Sequence, residues 1–128
     1  MVVDSSALVA IHLEESGYRQ LVARIYRAEA VLIGAPTLFE TTMVLTTRLS
    51  RDARPALQAF LVRRDVKVVA FTNEHFDAAM DAFLRFGKGR HPAALNFGDC
   101  MSYAVAAVAG MPLLYTGNDF SKTDITAA

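Results

Sequence analysis

The chain of 128 residues contains a single cysteine, Cys100. One cysteine excludes an intrachain disulfide, and the first residues carry neither a basic segment nor a signal-peptide cleavage site, so we expect a protein of the reducing cytoplasm. Cys100 follows Asp99 and lies among apolar residues. Because free cysteine is commonly buried, we predict a small core side chain there rather than a nucleophile.

The chain also has no excess of positive or negative charge and no long hydrophobic run. Thirteen basic residues balance thirteen acidic ones, so any nucleic-acid binding must be local. The mean hydropathy is +0.27. However, the most apolar stretch, residues 103–115, is interrupted by Gly110 and Pro112 and is too short to cross a bilayer. We therefore expect no membrane association.

Several catalytic signatures are absent as well. The sequence has no nucleophile elbow, P-loop or glycine-rich dinucleotide turn, which argues against the common hydrolases, ATPases and dehydrogenases. His12, His75 and His91 show no metal-ligand spacing with one another or with Cys100, and we expect each on the surface or on a helix face. Zinc is therefore not expected.

The sequence does contain a regular alternation of strands and helices. Strands are predicted at residues 1–3, 31–35, 66–71 and 112–115, and helices at residues 7–15, 18–30, from 36 onward, 54–64, 73–86 and 99–109. The hydroxyl of Ser5 or Ser6 is expected to cap the first helix. This order predicts one α/β domain, residues 1–128, with a mainly parallel central sheet and helices on both faces.

Large apolar residues in the second half of the chain are assigned to the core. Helical spacing within residues 73–86 suggests an inward stripe, and two aromatic residues further on are expected in the core rather than as stacking surfaces. The stripe consists of Phe76, Met80, Phe83 and Leu84, and the two aromatic residues are Phe97 and Tyr103.

Four acidic residues lie where apolar segments begin or end. Asp4 follows the first strand, Glu40 lies in an otherwise apolar helix, Asp99 opens another helix and Asp119 follows the last strand. Ionised carboxylates at the edge of a core are costly unless they are paired or bind a metal, and no lysine or arginine adjoins any of the four. Because ligands of parallel sheets bind at the carboxyl ends of the strands, we expect the four to meet in one pocket.

An all-oxygen acidic site suits Mg²⁺ or Mn²⁺, and two such ions could promote an in-line phosphodiester displacement without a nucleophilic side chain. Taken one at a time, the acids have structural explanations. Asp4 fits a helix N-cap, Asp99 a favourable charge at a helix N-terminus and Asp119 a turn residue. The pattern by itself leaves the metal site and these structural roles about equally supported.

The chain resembles PIN-domain proteins, specifically the VapC-type toxins of bacterial toxin–antitoxin pairs. The resemblance covers nearly its whole length. It rests on Val3-Asp4-Ser5-Ser6-Ala7-Leu8, Glu40, Asn96-Phe97-Gly98-Asp99-Cys100, and Pro112-Leu113-Leu114 running into Asn118-Asp119-Phe120.

The resemblance implies a site that holds Mg²⁺ or Mn²⁺ through Asp4, Glu40 and Asp99, with the hydroxyl of Ser6 in support. It further implies an endoribonuclease that prefers single strands, a VapB-type antitoxin that docks over the active-site groove, and a homodimer. Many relatives carry the fourth acid two residues earlier, where this chain has Gly117. Asp119 is the candidate to replace it.

Basic residues at the rim are needed for RNA binding, because carboxylates repel phosphate until metals neutralise them. The candidates are Lys88, Arg90 and His91, in a glycine-containing segment that precedes Asp99. An arginine there can grip phosphate or stack on a base. An ordinary exposed loop explains the segment equally well.

Two other functions are considered. A non-catalytic PIN-fold module for RNA or protein binding keeps the fold without the chemistry, and the presence of Asp4, Glu40 and Asp99 argues against it. A phosphoacceptor domain of response-regulator type pairs two adjacent acids and needs a lysine near the last strand. Here serines follow Asp4, and the first lysine near the last strand is Lys122.

Overall fold

The computed structural model describes residues 1–128, which form an α/β fold around a four-stranded parallel sheet. The strands are β1 (Val2–Val3), β2 (Val31–Gly34), β3 (Val66–Val69) and β4 (Leu113–Leu114), and they lie in the order β3-β2-β1-β4. All three strand pairs are parallel. Parallel neighbours require crossover connections, which the intervening helices supply. The predicted α/β fold with a parallel sheet is confirmed.

Six helices surround the sheet. They are α1 (Ser5–His12), α2 (Tyr18–Arg27), α3 (Ala35–Leu49), α4 (Arg54–Arg63), α5 (Asn73–Phe86) and α6 (Phe97–Ala109), and a short 3₁₀ turn, Phe120–Lys122, follows β4. The hydroxyl of Ser5 or Ser6 does not cap α1, whereas the structural role of Asp4 as an N-cap is confirmed. Asp4 caps this helix, because its carboxylate accepts a hydrogen bond from the backbone N–H of Ser6.

Hydrophobic cores lie on both sides of the sheet because successive strand residues point to opposite faces. Val2 and Leu113 belong to the core that contains residues of α5 and α6. Val3 and Leu114 belong to the core that contains residues of α1 and α2. The prediction of helices on both faces is therefore confirmed. None of the six helices combines the length and the apolar character that a membrane span requires.

The predicted inward face of α5 was wrong. His75, Ala79, Ala82 and Phe86 are the buried residues of this helix, whereas the predicted stripe is exposed, with Phe76 58% exposed. Helix α6 presents small residues to the same core, so α5 packs closely against it through alanines. The exposed stripe consists of Phe76, Met80, Phe83 and Leu84.

The remaining core assignments were partly right. Tyr103 and Cys100 are buried, as predicted. Phe97 was expected in the core but is 80% exposed, at the first residue of α6. His75 was expected on the surface or on a helix face, and it lies on the buried face of α5. Its Nδ1 accepts a hydrogen bond from the backbone N–H of Thr72, which completes a capping box at the start of α5.

Candidate active site

Asp4 lies directly after β1 and is 2% exposed. Its Oδ2 accepts hydrogen bonds from the backbone N–H of Ser6 at 2.9 Å and from the Ser6 hydroxyl at 2.6 Å. Its Oδ1 is also buried and has no hydrogen-bond partner. An unpaired buried carboxylate oxygen is costly. The arrangement therefore leaves one oriented oxygen free for a ligand.

Ser6 connects the segments that follow two neighbouring strands. Its Oγ donates to Asp4 and accepts a hydrogen bond from the backbone N–H of Thr116 at 3.0 Å. Thr116 lies just beyond β4, which pairs with β1. The hydroxyl thus fixes both the rotamer of the Asp4 carboxylate and the position of the chain leaving β4.

Glu40 projects from α3 and is half-buried. Burial raises the pKa of its carboxyl, a hydrogen bond from Ser5 opposes this rise, and the charge of Asp4 adds to it. Gly98 lies directly against the carboxylate, since a Cβ at this position would overlap its atoms. The glycine thereby allows α3 and the first turn of α6 to approach each other closely.

Asp99 lies in the first turn of α6 and is held by a reciprocal capping box. Its Oδ2 accepts from the backbone N–H of Asn96 at 2.9 Å, and the Asn96 side chain accepts from the N–H of Asp99 at 2.9 Å. Burial raises the pKa of Asp99 to about 6. The hydrogen bond from Asn96 opposes this rise, whereas the charges of Asp4, Asp119 and Glu40 add to it. The four acids therefore lie close enough for their charges to interact.

Asp119 is the most exposed of the four acids. It precedes the 3₁₀ turn without capping it through its side chain, and its charge is among those that raise the pKa of Asp99. Gly117, the position at which the family resemblance implies an acid, has φ +85° and open space beside it. Glycine adopts this backbone conformation without strain. Asp119 itself has ordinary right-handed backbone geometry, with φ −67° and ψ −51°.

The donor atoms of the cluster fit a hard divalent cation. All are carboxylate oxygens, and the unpartnered Oδ1 of Asp4 is already oriented and desolvated. No three histidine, cysteine, aspartate or glutamate side chains lie close enough to hold one ion together. Mg²⁺ typically binds through one or two carboxylates and keeps several waters. The residues present therefore suit direct binding by one or two of the acids.

Comparison with known proteins identifies the family to which the chain belongs. The PIN domain family model matches residues 1–125. The chain belongs to the PIN-domain family.

Proteins of similar sequence indicate the group of PIN domains to which the chain belongs. The chain is 46% identical to ribonuclease VapC36 of Mycobacterium tuberculosis, over 98% of this chain and 91% of that protein. It is 40% identical to a VapC ribonuclease of Mycolicibacterium smegmatis, over 99% and 98% of the two chains, and 37% identical to one of Rhizobium meliloti, over 96% and 97%. Within the PIN domains, the chain belongs to the VapC ribonucleases.

Solved structures share the fold of this PIN domain at low sequence identity. One is VapC20 of Mycobacterium tuberculosis, described as a toxin that cleaves the sarcin-ricin loop, with a TM-score of 0.75, 22% identity, and coverage of 99% and 97%. Another is a toxin–antitoxin complex from Klebsiella pneumoniae, with a TM-score of 0.71, 14% identity, and coverage of 99% and 95%. Both support the α/β architecture described above.

The rim of the PIN domain contains the three predicted RNA-binding residues in different settings. Lys88 lines a groove between α5 and α6 and, like Arg90, is exposed. His91 is half-buried. Its Nδ1 accepts from the backbone N–H of Ala93, and its ring lies 5.3 Å from that of Phe86. Lys88 and Arg90 therefore lie at the surface without salt bridges, with the Arg90 guanidinium over the Phe83 ring, whereas His91 is held in the turn.

Sequence reasoning missed several residues that shape this site. Ser5 supports Glu40, Thr116 anchors Ser6, Asn96 holds Asp99, and Gly98 admits the Glu40 carboxylate. One sequence signal was available. Asn96 three residues before Asp99 has the spacing of a capping box. The other contacts join segments that are distant in sequence and have no local pattern.

Proposed function

We propose that this chain, as one domain of residues 1–128, is a metal-dependent endoribonuclease of the cytoplasm. It acts as the toxin of a type II toxin–antitoxin module and hydrolyses RNA phosphodiester bonds. The observation that carries this proposal is the unpartnered, buried Oδ1 of Asp4 in a carboxylate cluster at the carboxyl end of the sheet. The membership among VapC ribonucleases supports the same activity.

We assign Asp4, Glu40, Asp99 and Asp119 to the site of Mg²⁺ or Mn²⁺, where one or two of them would bind the ion directly and the others would contact its waters. When bound, such an ion supplies positive charge that stabilises the scissile phosphate and lowers the pKa of an attacking water. Asp4 and Asp99 are oriented before any ligand arrives, because Ser6 and Asn96 each occupy one of their carboxylate oxygens. A carboxylate that is already oriented loses little conformational freedom when it binds an ion.

Glu40 and Asp119 have different parts in this proposal. Glu40 is half-buried, and its raised pKa means that the metal-free site favours a proton on it more than solvent does. Positive charge that enters the cluster opposes this rise and favours the ionised carboxylate. Asp119 is exposed in a turn and approaches from the solvent side. It is best suited to contact a hydrating water or a second ion.

The proposed partners are single-stranded RNA, a VapB-type antitoxin that covers the active-site groove, and a second copy of the chain in a homodimer. Lys88 and Arg90 are assigned to the RNA phosphates, with His91 in the same segment. The side chains of Lys88 and Arg90 form no salt bridge, so their charges remain available. A structural relative that was solved as a toxin–antitoxin complex supports the antitoxin.

The proposal is tested by titrating Mn²⁺ into wild-type protein and into Asp4→Asn by calorimetry, beside an RNA cleavage assay with and without chelator. We expect chelator-sensitive cleavage in the wild type, and both Mn²⁺ binding and cleavage to be lost in Asp4→Asn. The matched control is Asp65→Asn. Asp65 is an exposed aspartate directly before β3, at the opposite edge of the sheet from the site.

Other outcomes would contradict the proposal in different ways. Unchanged cleavage in a folded Asp4→Asn variant would remove Asp4 from the machinery. Mn²⁺ binding without cleavage of any single-stranded RNA would favour the non-catalytic PIN-fold module. Equal losses in Asp65→Asn would point to a general effect of charge rather than to the site.

A further inference from the structure

Two hydroxyl side chains meet in the interior between α3 and α6. The Oγ1 of Thr37 lies 3.0 Å from the Oγ of Ser102, so that one hydroxyl donates a hydrogen bond to the other. Both residues are buried, with Thr37 1% and Ser102 0% exposed. Replacing both partners of a buried hydrogen bond by apolar groups of the same shape is often neutral or even stabilising. Filling the core therefore does not explain why hydroxyls occupy these positions.

The hydroxyl pair lies one helical turn from two of the four proposed metal-binding acids. Thr37 precedes Glu40 by three residues in α3, and Ser102 follows Asp99 by three residues in α6. Side chains three residues apart are neighbours on one face of a helix, roughly 5–6 Å from each other. Each of the two helices therefore carries one hydroxyl and one acid on the same face.

Two close approaches of glycine backbone flank the hydroxyl pair along the contact between α3 and α6. Gly98 lies against the Glu40 carboxylate. A Cβ at Gly34, the residue before α3, would come within 2.9 Å of the Cγ2 of Val105. Each step back along the start of α3 thus corresponds to a step forward along α6, and the hydroxyl pair lies between the two glycine contacts. The two segments therefore run antiparallel in a single register.

Of these contacts, the hydrogen bond between the hydroxyls is the directional one. A hydrogen bond weakens steeply when its distance and angle are lost, whereas contact between apolar groups depends little on direction. Buried polar groups that are paired make a core rigid and favour one arrangement of it. The hydrogen bond between Thr37 and Ser102 can therefore determine how far α3 is shifted along α6. That shift also sets the separation of Glu40 and Asp99.

We propose that Thr37 and Ser102 are positioning residues of the metal site. Their hydrogen bond holds the Glu40 and Asp99 carboxylates at the separation that the ion and its waters require, and neither hydroxyl contacts the ion. This inference rests on the proposed function. Because Mg²⁺ demands nearly ideal octahedral geometry, a small shift of α3 along α6 is sufficient to lower the affinity for the ion.

The experiment compares the wild type with Thr37→Val, Ser102→Ala and the double variant. Mn²⁺ affinity is measured by calorimetry, and stability by urea unfolding in the presence of a chelator. Each single substitution leaves one buried hydroxyl without its partner, so it should lower stability. It should also weaken Mn²⁺ binding about 10-fold, the lower end of the range for groups that support metal ligands.

The double variant separates positioning from folding. It leaves no buried hydroxyl unpaired and should therefore recover much of the stability that each single variant loses. Its Mn²⁺ affinity should nevertheless remain about 10-fold below that of the wild type, because the directional contact is still missing. Recovery of Mn²⁺ affinity together with stability would overturn the inference, since the hydroxyls would then matter only for folding.

Thr41→Val is the matched control. Thr41 is another buried threonine of α3, but its hydroxyl donates to the backbone carbonyl of Thr37 within the same helix. This variant should keep the Mn²⁺ affinity of the wild type, as should Thr37→Ser, which retains a hydroxyl at the contact with α6. A loss of Mn²⁺ affinity in Thr41→Val equal to that in Thr37→Val would contradict the assignment.

Mn²⁺ binding and cleavage of single-stranded RNA by the wild type are measured in parallel. If the wild type binds Mn²⁺ and cleaves RNA while the double variant binds Mn²⁺ equally well, the positioning role alone is overturned. If the wild type binds no Mn²⁺, the proposed function fails, and the positioning role fails with it.

Discussion

Replacing Asp99 by asparagine should stabilise the metal-free protein while abolishing its activity. The ionised carboxylate is costly in the empty cluster, since burial and three neighbouring acids raise the pKa of Asp99 from 3.8 to about 6. Asparagine has nearly the same shape, and its side-chain oxygen can still accept the hydrogen bond that the N–H of Asn96 donates. The substitution thus removes the unfavourable charge and keeps the capping box.

The magnitude follows from the shift in pKa. About two pKa units correspond to an upper limit of about 3 kcal/mol at neutral pH. Asp99 is only half-buried, so solvent screening reduces this figure, and the loss of a negative charge near a helix N-terminus reduces it further. We expect a net gain of about 1 kcal/mol in the free energy of unfolding. For a chain of this size that corresponds to a rise in Tm of about 3–5 °C.

The sign of the pH dependence provides a second check. The folded protein keeps the Asp99 proton up to about pH 6, whereas the unfolded chain releases it near pH 3.8. Between these values the unfolded state binds fewer protons, so the stability contributed by this group falls as pH rises. The advantage of Asp99→Asn should be largest at pH 7.5 and should shrink at pH 4.5.

The assay is urea and thermal unfolding in the presence of a chelator at both pH values. Asp81→Asn, at an exposed position on α5 where the aspartate forms no salt bridge, is the control and should change little. Adding Mn²⁺ should make the wild type more stable than Asp99→Asn, because a ligand that binds only the folded wild type stabilises it by mass action. A less stable Asp99→Asn variant in chelator, or a difference independent of pH, would refute the reasoning.

Two further variants test the residues around the cluster. Ser6→Ala removes the hydroxyl between Asp4 and Thr116. It should lower kcat about 10-fold or more, as loss of a group that holds a metal-binding side chain typically does. Ser6→Thr keeps a hydroxyl and should retain activity. Equal losses of activity in both variants would contradict the role of the hydroxyl. Arg90→Ala should weaken RNA binding several-fold with Mn²⁺ affinity retained, measured by separate titrations. Arg63→Ala, exposed on α4, is its control, and unchanged RNA affinity in Arg90→Ala would remove Arg90 from the rim.

The sequence predicted the order of the elements well, because strands and helices differ in the local period of their apolar residues. It was less successful in deciding which face of an amphipathic helix is buried. In α5 the larger residues Phe76 and Met80 looked like the inner face, but Ala79 and Ala82 occupy it. The small residues of α6 determine this choice, and they lie in a different part of the chain.

Local sequence patterns are sufficient to predict an α/β domain with acids placed after its strands, because strand periodicity and strand ends are local properties of the chain. The hydrogen bonds and pKa values of those acids depend on the tertiary structure. Ser6 is positioned by Thr116, 110 residues away in sequence, and Gly98 lies against Glu40. The raised pKa of Asp99 and the unpartnered oxygen of Asp4 likewise arise from burial and from neighbours on other elements. Desolvation and charge coupling depend on distances between residues remote in sequence, which no local pattern contains.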